Sequence, residues 1–315
     1  MRIPRVIAAH GREFGTFLVL LFLGIVITIL TPHFLTFGNL INVAQQTVIN
    51  AIIAVGLTFV IISRGIDLSV GSILAFAGVC MAHALQAGWA WPLALLAAIA
   101  VGVGCGLMNG VLISYGRIPP FIATLGMMSV ARGAALLASD GRPISGFGDS
   151  FRWLSTGEIA RIPVPVFVML GVYAVAHFTL RRTRFGRYTY AIGGNEEAAK
   201  LSGVPVSRYT VAIYAVGGGL AGLAAVLLTA RLNSAQPIAG LNYELDAIAA
   251  TVIGGTSLMG GQGSVVGTLV GALIMGVLRN GLNLLGVSSF IQQVVIGAVI
   301  IVAVLLDTLL RRRRC

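Results

Sequence analysis

Charged residues are scarce in this sequence, and lysine is almost absent. Asp, Glu, Lys and Arg together make up 10% of the 315 residues, whereas hydrophobic residues make up 57%. The mean hydropathy is +0.96. This composition excludes an ordinary soluble globular domain and indicates a membrane protein, for which we expect an all-α polytopic fold.

The single lysine excludes an ATP-binding loop. A P-loop requires a Gly-rich turn followed by Lys and then Ser or Thr, but Lys200 is followed by Leu201. If the protein uses ATP, another polypeptide binds it, and we expect no cofactor in this chain. The hexapeptide G-G-G-L-A-G at 217–222 has the spacing of a dinucleotide-binding fingerprint, but it lies inside an apolar run without a preceding strand. We therefore predict that these glycines pack helices together.

Cysteine and histidine are also rare, and their spacing predicts no metal site. The three cysteines, Cys80, Cys105 and Cys315, form neither a disulfide framework nor a zinc pattern. The four histidines lack the spacing that places two ligands on one helix face. No G-x-S-x-G or comparable nucleophile motif is present, so an intramembrane enzyme is the least favoured function.

The hydrophobic residues fall into ten runs, most of them near the ~20 residues that a bilayer-spanning helix needs. The runs cover about 14–31, 43–63, 67–86, 90–114, 119–138, 163–180, 208–230, 244–259, 264–280 and 288–307. No linker long or polar enough to separate domains is visible, so we expect one membrane domain over residues 1–315 with about ten transmembrane helices. The first run lacks a following small-x-small site, and we expect it to be retained rather than cleaved.

Positive charge lies in short loops beside the apolar runs. The formal net charge is +11, but the arginines do not share one polar face, so nucleic acid is not an expected partner. Ten crossings that begin with a cytoplasmic N-terminus place most of the basic residues inside, including the cluster at 181–187, as the positive-inside rule requires. Both termini are then cytoplasmic, and the polar stretch 139–162 faces outward.

One short polar helix interrupts the apolar runs. Asn195 is a suitable N-cap, acidic residues follow it at the positive end of the helix dipole, and Gly203 supplies a left-handed stop. Two adjacent alanines leave a small, flat face suited to docking in a groove. The predicted helix comprises Asn195, Glu196, Glu197, Ala198, Ala199, Lys200, Leu201, Ser202 and Gly203. Because the arginines before it mark the cytoplasmic side, we predict that it contacts a soluble partner.

Glycines recur at four-residue spacing in two places. They are Gly102, Gly106 and Gly110 in the fourth run and Gly263, Gly267 and Gly271 around the ninth. Such small faces let helices approach closely and gain dispersion contacts in lipid, so we predict helix packing. The alternative is a substrate path lined by exposed backbone.

Polar side chains inside the runs must face protein or water, because lipid cannot satisfy them. Asn50, Asn109 and Thr124 are neutral donors and acceptors that could replace the hydration of a polar solute, so they are candidates for a translocation path. For each of them the alternative is an interhelical hydrogen bond. Asp67 lies close to Arg64 in sequence; it could pair with that arginine, cap the third run or take part in gating.

Three further motifs are rich in glycine and small polar residues. They are G-I-D-L-S-V-G-S at 65–72, I-G-G-T-S-L-M-G-G-Q-G-S-V-V-G-T at 253–268 and N-G-L-N-L-L-G-V at 280–287. These motifs resemble the ribose-type monosaccharide permeases of ATP-binding-cassette importers, and the short polar helix resembles the cytoplasmic coupling helix of such permeases. The resemblance covers roughly residues 39–307. The motif residues that carry it include Gly65, Asp67, Ser69, Gly71, Gly261, Gly263 and Gly267.

The resemblance implies a permease subunit of the bacterial inner membrane that works as a pair and imports ribose or a related pentose or polyol. It also implies an ATPase subunit at the coupling helix and an extracytoplasmic sugar-binding protein. For the latter, 139–162 is a candidate docking surface, or else an ordinary solvated loop. Branched-chain amino acid, nucleoside and autoinducer importers share the architecture. An ion-coupled secondary transporter is the alternative from another class, but the acids near the run ends, among them Asp246, count against it.

Overall fold

The computed structural model describes the backbone of residues 5–312 and the side chains of residues 14–302, 304 and 305, so Cys315 lies outside the described residues. The helices in this part of the chain are α1 (Arg5–Leu30), α2 (Phe37–Ile62), α3 (Val70–Gln86), α4 (Trp91–Ser114), α5 (Pro120–Ala138), α6 (Asp149–Thr156), α7 (Val164–Arg182), α8 (Arg184–Gly194), α9 (Glu196–Leu201), α10 (Val206–Leu232), α11 (Tyr243–Ile253), α12 (Val265–Leu284) and α13 (Ser289–Arg312). Strand β1 (Ile144–Ser145) pairs with β4 (Ser234–Ala235), and β2 (Glu158–Ile159) pairs with β3 (Ile162–Pro163), both antiparallel.

Helix α2 is the centre of the bundle. Residues 51–62 are all buried, because α7, α10, α11 and α12 pack around this half of the helix. Two polar contacts fix its position: the Tyr173 hydroxyl donates to the Ala51 carbonyl at 3.0 Å, and the hydroxyls of Thr58 and Thr268 lie 2.8 Å apart. Polar groups in apolar surroundings are costly unless paired, so these contacts favour one arrangement of α2, α7 and α12.

The first glycine face packs α4 against α10. A Cβ atom at Gly106 would meet the backbone carbonyl oxygen of Tyr214, and one at Gly102 would meet that of Gly218. Gly218 belongs to the G-G-G-L-A-G hexapeptide, so those glycines face another helix. The packing predicted for this glycine face and for the hexapeptide is confirmed.

The second glycine face packs α12 against α11. A Cβ atom at Gly267 would meet the carbonyl oxygen of Gly254, and one at Gly271 would meet that of Ala250. Gly263 precedes the first residue of α12, so only two of the three predicted glycines belong to a helix face. Packing is confirmed for these two.

Six of the described helices are long and apolar enough to cross a membrane, namely α2, α4, α5, α7, α10 and α12. Shorter apolar helical segments are Phe14–Leu30, Val70–Gln86 and Ser289–Val302.

The prediction of a spanning helix over 244–259 is wrong. Helix α11 contains 11 residues, or about 16 Å at 1.5 Å per residue, roughly half the ~30 Å hydrocarbon core. The glycine-rich sequence that follows stops it: Gly255, Gly260 and Gly261 have φ angles of 89°, 78° and 70°, which other residues rarely adopt.

The segment 233–242 folds back into the bundle before α11 begins. Helix α10 ends at Asn233, which has a left-handed φ of 48°. From there the chain runs beside α3, from the level of Gly78 to that of Gly71. Gly240 and Gly71 approach so closely that a Cβ atom on Gly71 would meet the carbonyl oxygen of Gly240. The segment is therefore a re-entrant stretch of irregular backbone.

Arginine 132 supplies hydrogen bonds to this re-entrant stretch. Its Nη1 donates to the carbonyl oxygens of Pro237 at 2.6 Å and Ala239 at 2.8 Å. Irregular backbone at membrane depth persists only where protein or water satisfies its polar groups. The charge of Arg132, in the middle of the apolar helix α5, is thus used for backbone pairing.

The polar stretch 139–162 is more regular than its loop-like composition predicts. It contains β1, α6 and β2, and α6 packs against α10 and α7. The rings of Phe147 and Phe151 meet edge to face with centroids 5.6 Å apart. Gly, Pro and mixed charge obscured this helix in the sequence, because those residues are typical of loops.

Candidate functional site

Two of the sequence motifs and helix α8 meet at one end of α2. We call this meeting point the motif junction, formed by residues 62–65, 190–194 and 259–263. The Gly261 amide donates to the Ile62 carbonyl at 2.8 Å, and Arg64 Nε donates to the Met259 carbonyl at 2.7 Å. The Tyr190 hydroxyl of α8 donates to the Gly263 carbonyl at 2.7 Å. Backbone and long side chains thus tie three distant parts of the chain together.

Gly193 lies at the centre of the motif junction. A Cβ atom there would meet the Ile62 carbonyl oxygen and would lie 2.6 Å from the Gly261 amide nitrogen. The next residue, Gly194, has open space at its Cβ position. Only one of these adjacent glycines is therefore required by packing.

The predicted coupling helix forms as α9. Asn195 Oδ1 accepts a hydrogen bond from the Ala198 amide at 3.0 Å, which confirms the N-cap. The Lys200 ammonium and the Glu196 carboxylate are 2.6 Å apart, and both side chains are about half exposed. Gly203 has a φ of 81° and ends the helix in the left-handed conformation, as predicted. The capping signals in the sequence thus mark both ends of this helix correctly.

The two alanines of α9 do not share the exposed face that the sequence analysis expected. Ala199 is 5% exposed and packs with Ile192 and Val206, whereas Ala198 is exposed. They are adjacent, and successive helical residues point about 100° apart. The outward face instead carries Leu201, which is 90% exposed. Ala198 and Leu201 are three residues apart and therefore lie on the same exposed side of α9.

A cavity of about 670 Å³ lies between α9 and the link from α4 to α5. Arg64, Arg117 and Lys200 line it, together with Glu196 and Tyr214. Three of the lining side chains are basic, and one of these, Lys200, is paired with Glu196.

Asp67 begins a buried polar cluster beside the junction. Its Oδ1 accepts hydrogen bonds from the Ser69 amide at 2.9 Å and from the Ser69 hydroxyl at 2.5 Å. Asn109 Nδ2 donates to the same hydroxyl at 2.9 Å, and Thr124 donates to the Ile66 carbonyl at 3.2 Å. Asp67, Ser69, Asn109 and Thr124 are fully buried. Asp67 therefore orders the start of α3, and no ion pair with Arg64 occurs among the described side chains.

Two motif glycines next to this cluster are needed for close packing. A Cβ atom at Gly65 would meet the Tyr214 hydroxyl, and one at Gly71 would meet the re-entrant stretch at Gly240. The first motif thus lies against both α10 and the segment before α11.

Asn50 lies in a second polar cluster, away from Asn109 and Thr124. Its Nδ2 donates to Asp246 Oδ2 at 3.2 Å, and Arg279 Nη2 lies 2.6 Å from the same oxygen. Asn50 is near the middle of α2, so the start of α11 is at mid-depth in the bundle. The place of Asp246 near the start of the eighth apolar run predicts a position near the end of a span. That expectation is wrong, because the re-entrant stretch carries the chain inward before α11 begins.

Comparison with known proteins identifies the class. Residues 39–304 match the permease family described as "Branched-chain amino acid transport system / permease component". The match covers most of the chain, including both polar clusters and α9. The chain therefore belongs to this permease family and is a multi-pass membrane transport component.

Individual relatives are similar over nearly the whole length. The ribose import permease protein of Bacillus subtilis (strain 168) is 51% identical over 298 residues, which are 94% of this chain and 92% of the relative. Its counterpart in Escherichia coli (strain K12) is 49% identical over 94% and 93%. The D-allose transport system permease protein of the same strain is 39% identical over 97% and 94%. No solved structure matches the chain. These relatives confirm the resemblance inferred from the motifs.

Proposed function

We propose that the protein is the membrane-spanning subunit of an ATP-driven importer for ribose or a related monosaccharide. The observation that carries this proposal is the 51% identity to a ribose import permease across 94% of the chain. Other relatives of high similarity are named for D-allose and for galactose and methyl galactoside. This set favours a sugar over an amino acid, despite the general description of the family.

The partners follow from the same assignment. Two copies of this chain form one path, an ATPase subunit binds ATP on the cytoplasmic side, and an extracytoplasmic sugar-binding protein delivers the solute. The chain itself holds no cofactor and catalyses no reaction. We place it in the bacterial inner membrane as one permease domain with ten crossings and both termini in the cytoplasm; nine crossings are apolar helices, and residues 233–253 make the other as irregular backbone followed by the short helix α11. The positive-inside distribution of arginines supports this topology.

Energy from ATP reaches the path through α9 and the motif junction. The exposed face of α9, with Ala198 and Leu201, seats in a groove of the ATPase subunit. Helix α8 ends at Gly194, just before α9. Its residue Gly193 contacts the end of α2 and the segment before α12. A displacement of α9 therefore moves two helices that pack in the bundle core, since close-packed contacts transmit rather than absorb strain.

Reconstitution tests the assignment. The test uses liposomes that contain this subunit, with its ATPase subunit facing the lumen. They should accumulate labelled ribose only when ATP is enclosed in the lumen and the binding protein is added outside. Uptake driven by an ion gradient without ATP would contradict the proposal and favour a secondary transporter. Uptake of D-allose or galactose in preference to ribose would change the sugar but leave the transport class intact.

Substitutions on the exposed face of α9 test whether it binds the ATPase subunit. Leu201→Glu places a charge on the exposed face and should abolish binding of the ATPase subunit while the permease remains in the membrane. Ala198→Glu should act in the same way. Leu201→Met keeps an apolar side chain of similar size and should retain binding. Normal ATPase binding by Leu201→Glu and Ala198→Glu would place the docking surface elsewhere.

A further inference from the structure

Helix α2 has a polar face in one half only. Asn42, Gln46 and Asn50 follow one another at four-residue spacing, so they lie on one side of the helix. Asn42 is exposed, and Gln46 and Asn50 are partly exposed. The other half of α2, residues 51–62, is wholly buried. The polar face therefore begins near one end of the bundle and stops at its middle.

The amide groups of this face are available to a ligand. Within the described part of the chain, the side chains of Asn42 and Gln46 form no hydrogen bond. Asn50 donates through Nδ2 to Asp246 at 3.2 Å, but its Oδ1 is buried and lacks a partner there. A buried acceptor without a partner costs about 1–3 kcal/mol. Its place beside an open polar face indicates that a solute or water normally supplies the missing donor.

A charged pair lies where the polar face stops. The Asp246 side chain is 5% exposed, whereas that of Arg279 is 41% exposed. Asn50 is about 18 Å from the end of α2 at Ile62 and about 20 Å from its start at Phe37. The Arg279 guanidinium reaches Asp246 at this depth, and a charged side chain with this exposure cannot face lipid without a large cost. The surface that carries Arg279 must therefore face water or protein.

Other exposed surfaces of the bundle have a different character. Leu96 on α4, Val130 on α5 and Leu170 on α7 are 58%, 63% and 47% exposed. All three lie inside long apolar helices, so these surfaces suit lipid. The first half of α2 and the start of α11 also expose Leu40 and Leu245, at 44% and 45%. These two elements additionally carry the amides and the acid paired with Arg279, which lipid cannot satisfy.

We propose that this side is the outer half of the translocation path and binds a neutral polyhydroxylated solute. The inference rests on the proposed function. Asn42, Gln46 and Asn50 exchange hydrogen bonds with successive hydroxyl groups as the solute loses its hydration. Arg279, oriented by Asp246, donates to two neighbouring hydroxyls at the inner end of this half, where the guanidinium geometry permits paired contacts.

Thiol labelling tests the placement independently of transport. In the complete complex, with the native cysteines replaced, Gln46→Cys should react with a charged, membrane-impermeant thiol reagent added from the outer side. Val130→Cys should not react, although Val130 is highly exposed in the isolated subunit, because lipid covers it. Labelling should be measured without nucleotide and with ATP bound, since the path alternates. A Gln46→Cys variant that stays unreactive in both states, or a Val130→Cys variant that reacts equally, would overturn the proposal.

A second measurement tests recognition of the solute. Gln46→Leu and Asn50→Leu should each reduce sugar uptake by about fivefold to tenfold, equivalent to one lost hydrogen bond. ATP hydrolysis stimulated by the binding protein should remain, because α9 and the motif junction are unchanged. Asn50→Gln should recover part of the uptake. Normal uptake by both Leu variants would refute the assigned role. Wild-type complex that imports no sugar would instead refute the proposed function, while the labelling result would still report on the face.

Discussion

Adding one methyl group at Gly193 should uncouple ATP hydrolysis from transport. The Cβ atom of a Gly193→Ala variant would collide with the Ile62 carbonyl oxygen and lie 2.6 Å from the Gly261 amide nitrogen. Those two groups are hydrogen-bonded to each other at 2.8 Å. The variant must therefore either break this hydrogen bond or move α8 away from α2.

The expected magnitude follows from two opposing effects. Overpacking costs about 1–3 kcal/mol, and a lost backbone hydrogen bond adds about 0.5–1.5 kcal/mol. Replacing glycine by alanine within a helix returns about 0.5–1 kcal/mol. The contact between α8 and α2 should thus weaken by about 0.5–4 kcal/mol, with a midpoint of ~2 kcal/mol, which shifts the equilibrium between joined and separated arrangements by roughly 30-fold.

Gly194→Ala is the matched control. It adds the same methyl group to the neighbouring residue, where nothing lies within 4 Å of the new atom. This variant should bind the ATPase subunit and transport like wild type. The assay is the amount of sugar imported per ATP hydrolysed in proteoliposomes, measured beside ATPase binding.

The expected pattern is specific to Gly193. Gly193→Ala should retain ATPase binding, because α9 is intact, but should import less sugar per ATP. Equal coupling in Gly193→Ala and wild type would show that this contact does not transmit motion. Equal loss in both alanine variants would indicate a general requirement for flexibility at the end of α8.

Three further outcomes are expected. Gly106→Ile should lower the thermal stability of the subunit, because its side chain would collide with the α10 backbone. Gly104→Ile is the control, since its Cβ position has open space, and it should melt like wild type. Equal melting temperatures for both variants would contradict the packing of this face. A cysteine at Gly148 should react with an impermeant thiol reagent outside intact cells and one at Ser202 should not, and labelling of Ser202 would reverse the topology. Tyr173→Phe removes the hydroxyl that donates to Ala51 and should cost about 1 kcal/mol in unfolding measurements; an unchanged free energy of unfolding would show that water replaces this contact.

The features that the sequence predicted correctly are those set by residues close together in the chain. The N-cap at Asn195 and the stop at Gly203 formed as predicted, since both depend on backbone groups within one helical turn. The four-residue glycine spacing likewise indicated a packed face. It could not name the partner helix, because spacing contains no information about which distant segment lies opposite.

Long-range contacts account for what the sequence analysis missed. The orientation of Ala199 depends on Ile192 and Val206, which pack against it from neighbouring turns of the chain. The depth of Asp246 depends on the re-entrant stretch, whose course is set by Arg132 and the close approach of Gly71 and Gly240. A hydropathy count registers apolar residues in this region but not the direction in which the backbone runs.

The brevity of α11 bears on how the chain is inserted during synthesis. A helix of 11 residues preceded by irregular backbone cannot rest alone in lipid, because its peptide groups would lack partners. We therefore expect residues 233–253 to settle only after α3 and α5, which precede them in the chain, offer a protein surface. Helix α12, which follows in the chain, packs against α11 and would complete its surroundings. Residues 233–253 would thus enter the bundle by packing against helices that are already in the membrane, and not by leaving the translocon for lipid as a separate segment.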